Sequence, residues 1–145
     1  MMKVCIAYDS KYGNGKKCME HLQNVIVKKG HNVEMFSIHE IEPTSTPSAN
    51  LYVFSSPTQM GRPSGKMKRF LKKIQIQQEE AKYALVTTCM SPPNTKCLQK
   101  MDILLSSKKI SKISDGLMIK VKGMKGPLDS GYEEKLDSFA SDILG

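Results

Sequence analysis

Five short apolar runs alternate with amphipathic segments along this 145-residue chain, and that alternation restricts the fold more than any other feature. Val4-Cys5-Ile6-Ala7-Tyr8 is almost wholly apolar, as befits a central parallel strand covered on both faces. Comparable runs recur at Val33 to Ile38, Leu51-Tyr52-Val53-Phe54, Tyr83 to Thr87 and Gly116 to Val121. Between them, spacings of three and four residues mark helix faces. The first face carries Cys18, Met19, Leu22, Val25 and Ile26, and the second Met67, Phe70, Leu71 and Ile74. Cys97, Leu98, Met101, Leu104 and Leu105 make the third, and Tyr132, Leu136, Phe139, Ala140 and Ile143 the last. Ser64 and Thr95 stand where helix caps belong, and Lys28-Lys29-Gly30 makes a helix stop. Strands alternating with helices in this way predict an α/β protein, a three-layer doubly wound parallel sheet, in one domain over residues 1–145.

Composition adds limits. Hydrophobic residues at 39% and charged residues at 25% are ordinary for a globular protein. No apolar run reaches the roughly 20 residues that cross a bilayer. Val4 to Tyr8 is too short for the apolar part of a signal peptide, so a soluble cytoplasmic protein with no membrane partner is expected. Cys5, Cys18, Cys89 and Cys97 form no C-x-x-C pair and have no zinc spacing; Cys5 and Cys18 read as small buried hydrophobes in a reducing compartment. His21, His31 and His39 fall in separate segments and are expected to be exposed; no metal site is expected. The net charge of +8 fits either acidic partners or a lysine-rich surface that keeps the protein soluble. The lysines are spread over every segment and no aromatic-interleaved basic stripe exists, so specific nucleic-acid binding is not expected.

In open parallel sheets, ligands bind beyond the carboxyl ends of the strands, where the strand order reverses. The turns after Tyr8, Phe54 and Thr87 are therefore the candidate site. Ser10-Lys11-Tyr12-Gly13-Asn14-Gly15-Lys16 leads into a helix whose first amides lack internal partners and favour an anion. The glycines let the backbone approach a phosphate closely, Ser10 and Asn14 add hydrogen-bonding groups, and Lys16 adds charge. A plain tight strand-to-helix turn accounts for the same residues equally well. The spacing gives neither G-x-x-x-x-G-K-S/T nor G-x-G-x-x-G. A phosphorelay receiver would need an aspartate where Ser55-Ser56 stands, and neither Cys5 nor Cys89 has the arginine of a C-x5-R phosphatase loop.

Tyr8-Asp9-Ser10-Lys11-Tyr12-Gly13-Asn14-Gly15 resembles the FMN phosphate loop of flavodoxins, S/T-x-T-G-N-T. Ser10, Gly13 and Asn14 match, while Tyr12 and Gly15 replace threonines. Ser55-Ser56-Pro57-Thr58-Gln59-Met60-Gly61-Arg62-Pro63-Ser64, long for a strand-to-helix link, resembles the S-P-T-x-x-G-x-P segment beside the flavin ring in the same family. Thr88, Cys89 and Met90 begin the third turn, Thr88 to Asn94, which covers the other side of the ring in that family. The resemblance implies a flavodoxin-like fold with strand order 2-1-3-4-5, FMN as cofactor and electron transfer between redox proteins. A small NAD(P)H-linked quinone reductase, or a binding module that has lost the cofactor, are the alternatives.

Many flavodoxins sandwich the flavin between a tryptophan and a tyrosine. This chain has no tryptophan. Met60 and Met90 stand in for those aromatics, or else fill gaps in the core. With the family's usual acidic surroundings replaced by positive charge, the potential for the second electron is expected to be less negative than in an acidic flavodoxin. Partners are expected to be acidic, with rates that fall as salt rises.

Overall fold

The computed structural model describes residues 1–90 and 95–145, so the expected loop residues Ser91, Pro92, Pro93 and Asn94 lie outside it. The strands are β1 (Lys3–Tyr8), β2 (Asn32–Ser37), β3 (Leu51–Gln59), β4 (Arg62–Pro63), β5 (Lys82–Cys89), β6 (Ser111–Lys112) and β7 (Leu117–Lys120). The helices are α1 (Asn14–Lys28), α2 (Gly65–Lys73), α3 (Lys96–Leu105) and α4 (Tyr132–Leu144). The parallel ladder runs β2-β1-β3-β5, and its fifth position is shared by two short strands. β6 pairs with Lys82 and Tyr83 at the start of β5, and β7 with Val86 to Cys89 at its end. This is the 2-1-3-4-5 order with a broken last strand. Among the described residues, no helix is long and apolar enough to cross a membrane.

The break has a local cause. Ser114-Asp115-Gly116 is turn chemistry between two strand-forming runs. Gly116 passes so close to its neighbours that a Cβ there would lie 2.8 Å from Leu98 Cδ1 and 3.2 Å from the Leu85 carbonyl oxygen. The expected fifth strand, Gly116 to Val121, is therefore shorter and starts after the glycine.

Period-two alternation divides the sheet between two cores. Val4, Ile6, Val53 and Val86 face α1 and α4, while Cys5, Ala7, Phe54 and Leu85 face α2 and α3. Ser64 caps α2 as expected, its Oγ accepting from the Met67 amide at 3.1 Å. Ile74 falls outside that helix, in extended backbone, yet stays buried. Thr95 occupies the cap position of α3 without capping it; its Oγ1 accepts from Gln99 Nε2 at 2.9 Å instead.

The long link expected after Phe54 is instead strand and hairpin. β3 continues through Ser55, Ser56, Pro57 and Thr58 to Gln59, then folds back on β4 through Met60 and Gly61. Both turn residues have positive φ, 53° and 77°, matching the two-residue hairpin turn that favours Asn-Gly. Glycine accepts that conformation freely. Methionine does not, and the left-handed backbone costs it about 1 kcal/mol. Met60→Asn is expected to raise stability by about 0.5–1 kcal/mol in urea unfolding; an unchanged or lower midpoint would show that the turn is unstrained.

All four cysteines are buried and reduced. Burial pushes the Cys5 and Cys18 thiols from 9.0 up to about 12. The folded state thus holds protons that the unfolded chain releases above its own thiol pKa. Stability from this source is complete below pH 9 and lost as pH climbs towards 12. Urea midpoints should be level on the neutral side of the ordinary thiol range and decline above it. A native protein whose thiols react with Ellman's reagent at pH 8 as fast as the unfolded chain contradicts this.

Candidate functional site

The turns after β1, β3 and β5 converge on one cleft of about 400 Å³ at the carboxyl edge of the sheet. Ser10, Lys11, Tyr12, Asn14 and Gly15 line it from the first turn and the start of α1; Pro57, Thr58 and Gln59 from the end of β3, with Met60 beyond; Thr88 and Cys89 from the end of β5, which pairing carries past the expected start of the third turn, with Met90 beyond. Gly13, Lys16, Ser56 and Gly61 are not on its wall, and each has a different place. Gly13 is the residue before α1, with φ +94°. Lys16 is exposed on the first turn of that helix. Ser56 is buried, its Oγ accepting from the Ser64 amide at 3.0 Å and fixing the entry to α2. Gly61 completes the hairpin turn.

The start of α1 is uncapped by any side chain, and its first turn carries no acidic residue. Ser10 Oγ accepts the Gly13 amide at 3.1 Å, which folds the turn back and leaves the start of α1 facing the cleft wall formed by Asn14 and Gly15. Lys11 Nζ and Lys125 Nζ lie 5.5 and 6.0 Å from the centre of the Tyr12 ring, putting two positive charges beside this turn. A Cβ on Gly15 would come no nearer than 3.4 Å to its neighbours, so the threonine missing there is not excluded by crowding.

The other end is soft and apolar. Thr58 Oγ1 and Thr87 Oγ1 share a 2.6 Å hydrogen bond that joins the end of β3 to β5. Met60 is 99% exposed and Met90 48% exposed, so neither fills a core gap; both stand at the cleft mouth. Cys89 is buried in the wall, and burial raises its thiol above the ordinary value, which makes it a poor nucleophile. Cys97 lies behind it, fully buried, 3.5 Å from Thr87 Oγ1.

Sequence reading missed three wall residues. Val121 and Met124 come from the segment after β7, where Asn14 Nδ2 donates to the Met124 carbonyl at 3.4 Å. Only their place at the end of the fifth strand could have pointed to them. Asp9 is the third. It is buried, with Oδ1 2.9 Å from His39 Nε2 and Oδ2 accepting from Ser64 Oγ at 2.5 Å. This carboxylate ties the end of β1 to the segment after β2 and to the cap of α2. Of the histidines expected to be exposed only His39 is; His21 and His31 are half-buried, His21 bonding Asp137 Oδ1 at 2.8 Å and His31 Nδ1 accepting from the Met2 amide at 2.9 Å.

An uncapped helix terminus opening onto a cleft with hydroxyls at one end and thioethers at the other suits a flat ligand carrying a phosphate. Comparison with known proteins identifies the family and the fold. A flavodoxin-domain family model matches residues 5–115. Flavodoxin 2 from Bacillus cereus superposes with a TM-score of 0.82 at 18% identity, over 98% of this chain and 97% of its own. The Streptococcus pneumoniae TIGR4 flavodoxin gives 0.79 at 15% identity, over 98% and 97%. A flavodoxin, WrbA-like protein from Agrobacterium tumefaciens gives 0.72 at 16%, over 99% and 95%. Curated protein sequences return no significant match. With 111 consecutive residues inside the family model and the same fold from end to end, the chain belongs to the flavodoxin domain family.

Proposed function

We propose that this protein binds FMN and carries electrons between redox proteins as a soluble, cytoplasmic shuttle. The observation that carries the reading is the uncapped start of α1 opening into the cleft between the β3 and β5 turns. The residues present fit the group. Amides at the start of α1 and the Ser10 hydroxyl would hold the phosphate, with Asn14 beside them. Thr58, Gln59, Met60, Thr88, Cys89 and Met90 would hold the ring system. Bound FMN supplies one- and two-electron redox chemistry, and the protein sets its affinity and potential.

Positive charge from Lys11 and Lys125, with no aromatic in either flanking turn, favours added negative charge in the site. The potential for the second electron is expected to be less negative than in an acidic flavodoxin. Anaerobic titration of apo-protein with FMN, followed by stepwise reduction, tests both statements. One-to-one uptake with quenched flavin fluorescence supports the carrier. A colourless protein that refuses FMN leaves a binding module in its place.

The S-P-T-x-x-G-x-P segment from Ser56 to Pro63, which resembles the flavin-flanking stretch of flavodoxin-like enzymes as well as carriers, favours a second reading, an NAD(P)H-linked quinone reductase. Sustained NADPH oxidation with a quinone acceptor would replace the carrier by the enzyme. Turnover only when a partner protein is added keeps the carrier.

A further inference from the structure

The lysines that look scattered in sequence are gathered by the fold. α2 and α3 share one face of the sheet, and between them they carry seven lysines and arginines against the single carboxylate of Asp102. Asp102 is already engaged by Tyr83 Oη at 2.8 Å and Lys112 Nζ at 3.3 Å. Opposite, α1 and α4 together carry four lysines against five carboxylates, Glu20, Glu133, Glu134, Asp137 and Asp142. The molecule is therefore polarised across its sheet, which the net charge alone does not reveal.

A groove runs between the amino-terminal half of α2 and the middle of α3. Its rim holds Arg62, Lys68 and Lys100, and no acidic residue lines it. Among the described residues, none of these three side chains makes an ion pair or hydrogen bond, so their charges are uncompensated. Its floor is apolar. Ile103 is 70% exposed there, Leu104 lies beside it, and Met60 projects from the hairpin tip. Met60 and Gln59 line this groove and the cofactor cleft alike. The hairpin holds Met60 outward in a left-handed backbone that methionine resists, and strain of that kind collects at functional positions.

We propose that this groove is the docking face for an acidic partner protein, whose carboxylates meet Arg62, Lys68 and Lys100 while an apolar side chain covers Ile103 and Met60. An apolar centre inside a charged rim is the anatomy of a protein interface, with the charges steering encounter and the centre supplying residence time. A nucleic-acid backbone would use the cations but has no need of exposed isoleucine and methionine, and no aromatic residue stands in the groove to stack a base. The shared Met60 places the partner against the cofactor cleft, and to that extent the proposal rests on the electron-carrier reading.

The probe is an acidic plant-type [2Fe–2S] ferredoxin, titrated at low salt into the 15N-labelled protein with and without FMN. Amide shifts are expected to centre on Met60, Arg62, Lys68, Lys100 and Ile103. Arg62→Glu, Lys68→Glu and Lys100→Glu together should weaken binding by at least about tenfold, and Ile103→Ser by about threefold. Both variants alter exposed side chains, and their folding is checked by circular dichroism. Absence of ferredoxin binding, shifts centred elsewhere, unchanged affinity in the triple variant, or duplex DNA holding the groove as tightly as ferredoxin would each overturn the proposal. Flavin absorbance in the same samples keeps the two readings apart. Docking without FMN uptake preserves this face and removes the carrier; FMN uptake without docking does the reverse.

Discussion

Phe54→Ala is expected to destabilise the protein by about 3–5 kcal/mol, a large share of the roughly 5–15 kcal/mol that holds a domain folded. Phe54 sits on the central strand β3, fully buried, with Ala7 of β1 and Leu85 of β5 as its ladder neighbours. The small side chain of Ala7 gives the ring room, and Tyr52 stacks against it at 6.1 Å between centroids with 7° between planes. Alanine would remove that stack and leave a cavity under α2, because the sheet cannot close around it. The loss also reaches the site, since Ser55 and Ser56 follow directly and Ser56 fixes the start of α2. Phe54→Leu, which keeps most of the volume, should cost about 1–1.5 kcal/mol. Urea unfolding by circular dichroism separates the two. An alanine variant within 1.5 kcal/mol of the parent, on the order of the leucine value, would mean that this layer repacks freely.

What could be read from the sequence was whatever is decided by neighbours three or four residues apart. The apolar run Val4 to Tyr8 and the face of α1 require no knowledge of the partner strand, and both lie where expected. Ser64 was legible as a cap because capping is local chemistry. The second turn was legible as a motif but not as a shape. Pro57 and a run of serines look like a loop, whereas pairing with Thr88 carries the strand through them. Thr95 failed as a cap because its backbone, at φ −90° and ψ 3°, is outside the extended conformation that turns a cap side chain towards the helix amides. Asp9 shows the limit most clearly. Its partners are 30 and 55 residues distant, and only the closed sheet brings His39 and Ser64 to one carboxylate. The basic face of α2 and α3 is of the same kind: each lysine is visible in the sequence, but their common side is a property of the layers.

The segment after β7, invisible as a site element in the sequence, should prove its role through Gly126→Val. Gly126 has φ +100°, and a Cβ there would stand 2.8 Å from Asn14 Oδ1. Valine would therefore meet two obstacles at once: a left-handed backbone that costs about 1–2 kcal/mol, and the side chain of the first residue of α1. The segment relieves both by lifting away from Asn14, which breaks the hydrogen bond to Met124 and withdraws Met124 from the cleft wall. If FMN sits at the start of α1, its affinity should fall by at least about tenfold, the equivalent of 1.4 kcal/mol. Stability should fall by about 1–2 kcal/mol, because the core clusters on both faces of the sheet are untouched. Gly123→Ala is the matched control, since its Cβ would meet only the Gly126 carbonyl oxygen at an ordinary 3.5 Å. Equal FMN affinity in both variants would show that the segment after β7 merely borders the cleft. A tenfold loss confined to Gly126→Val would show that Asn14 and Met124 close it.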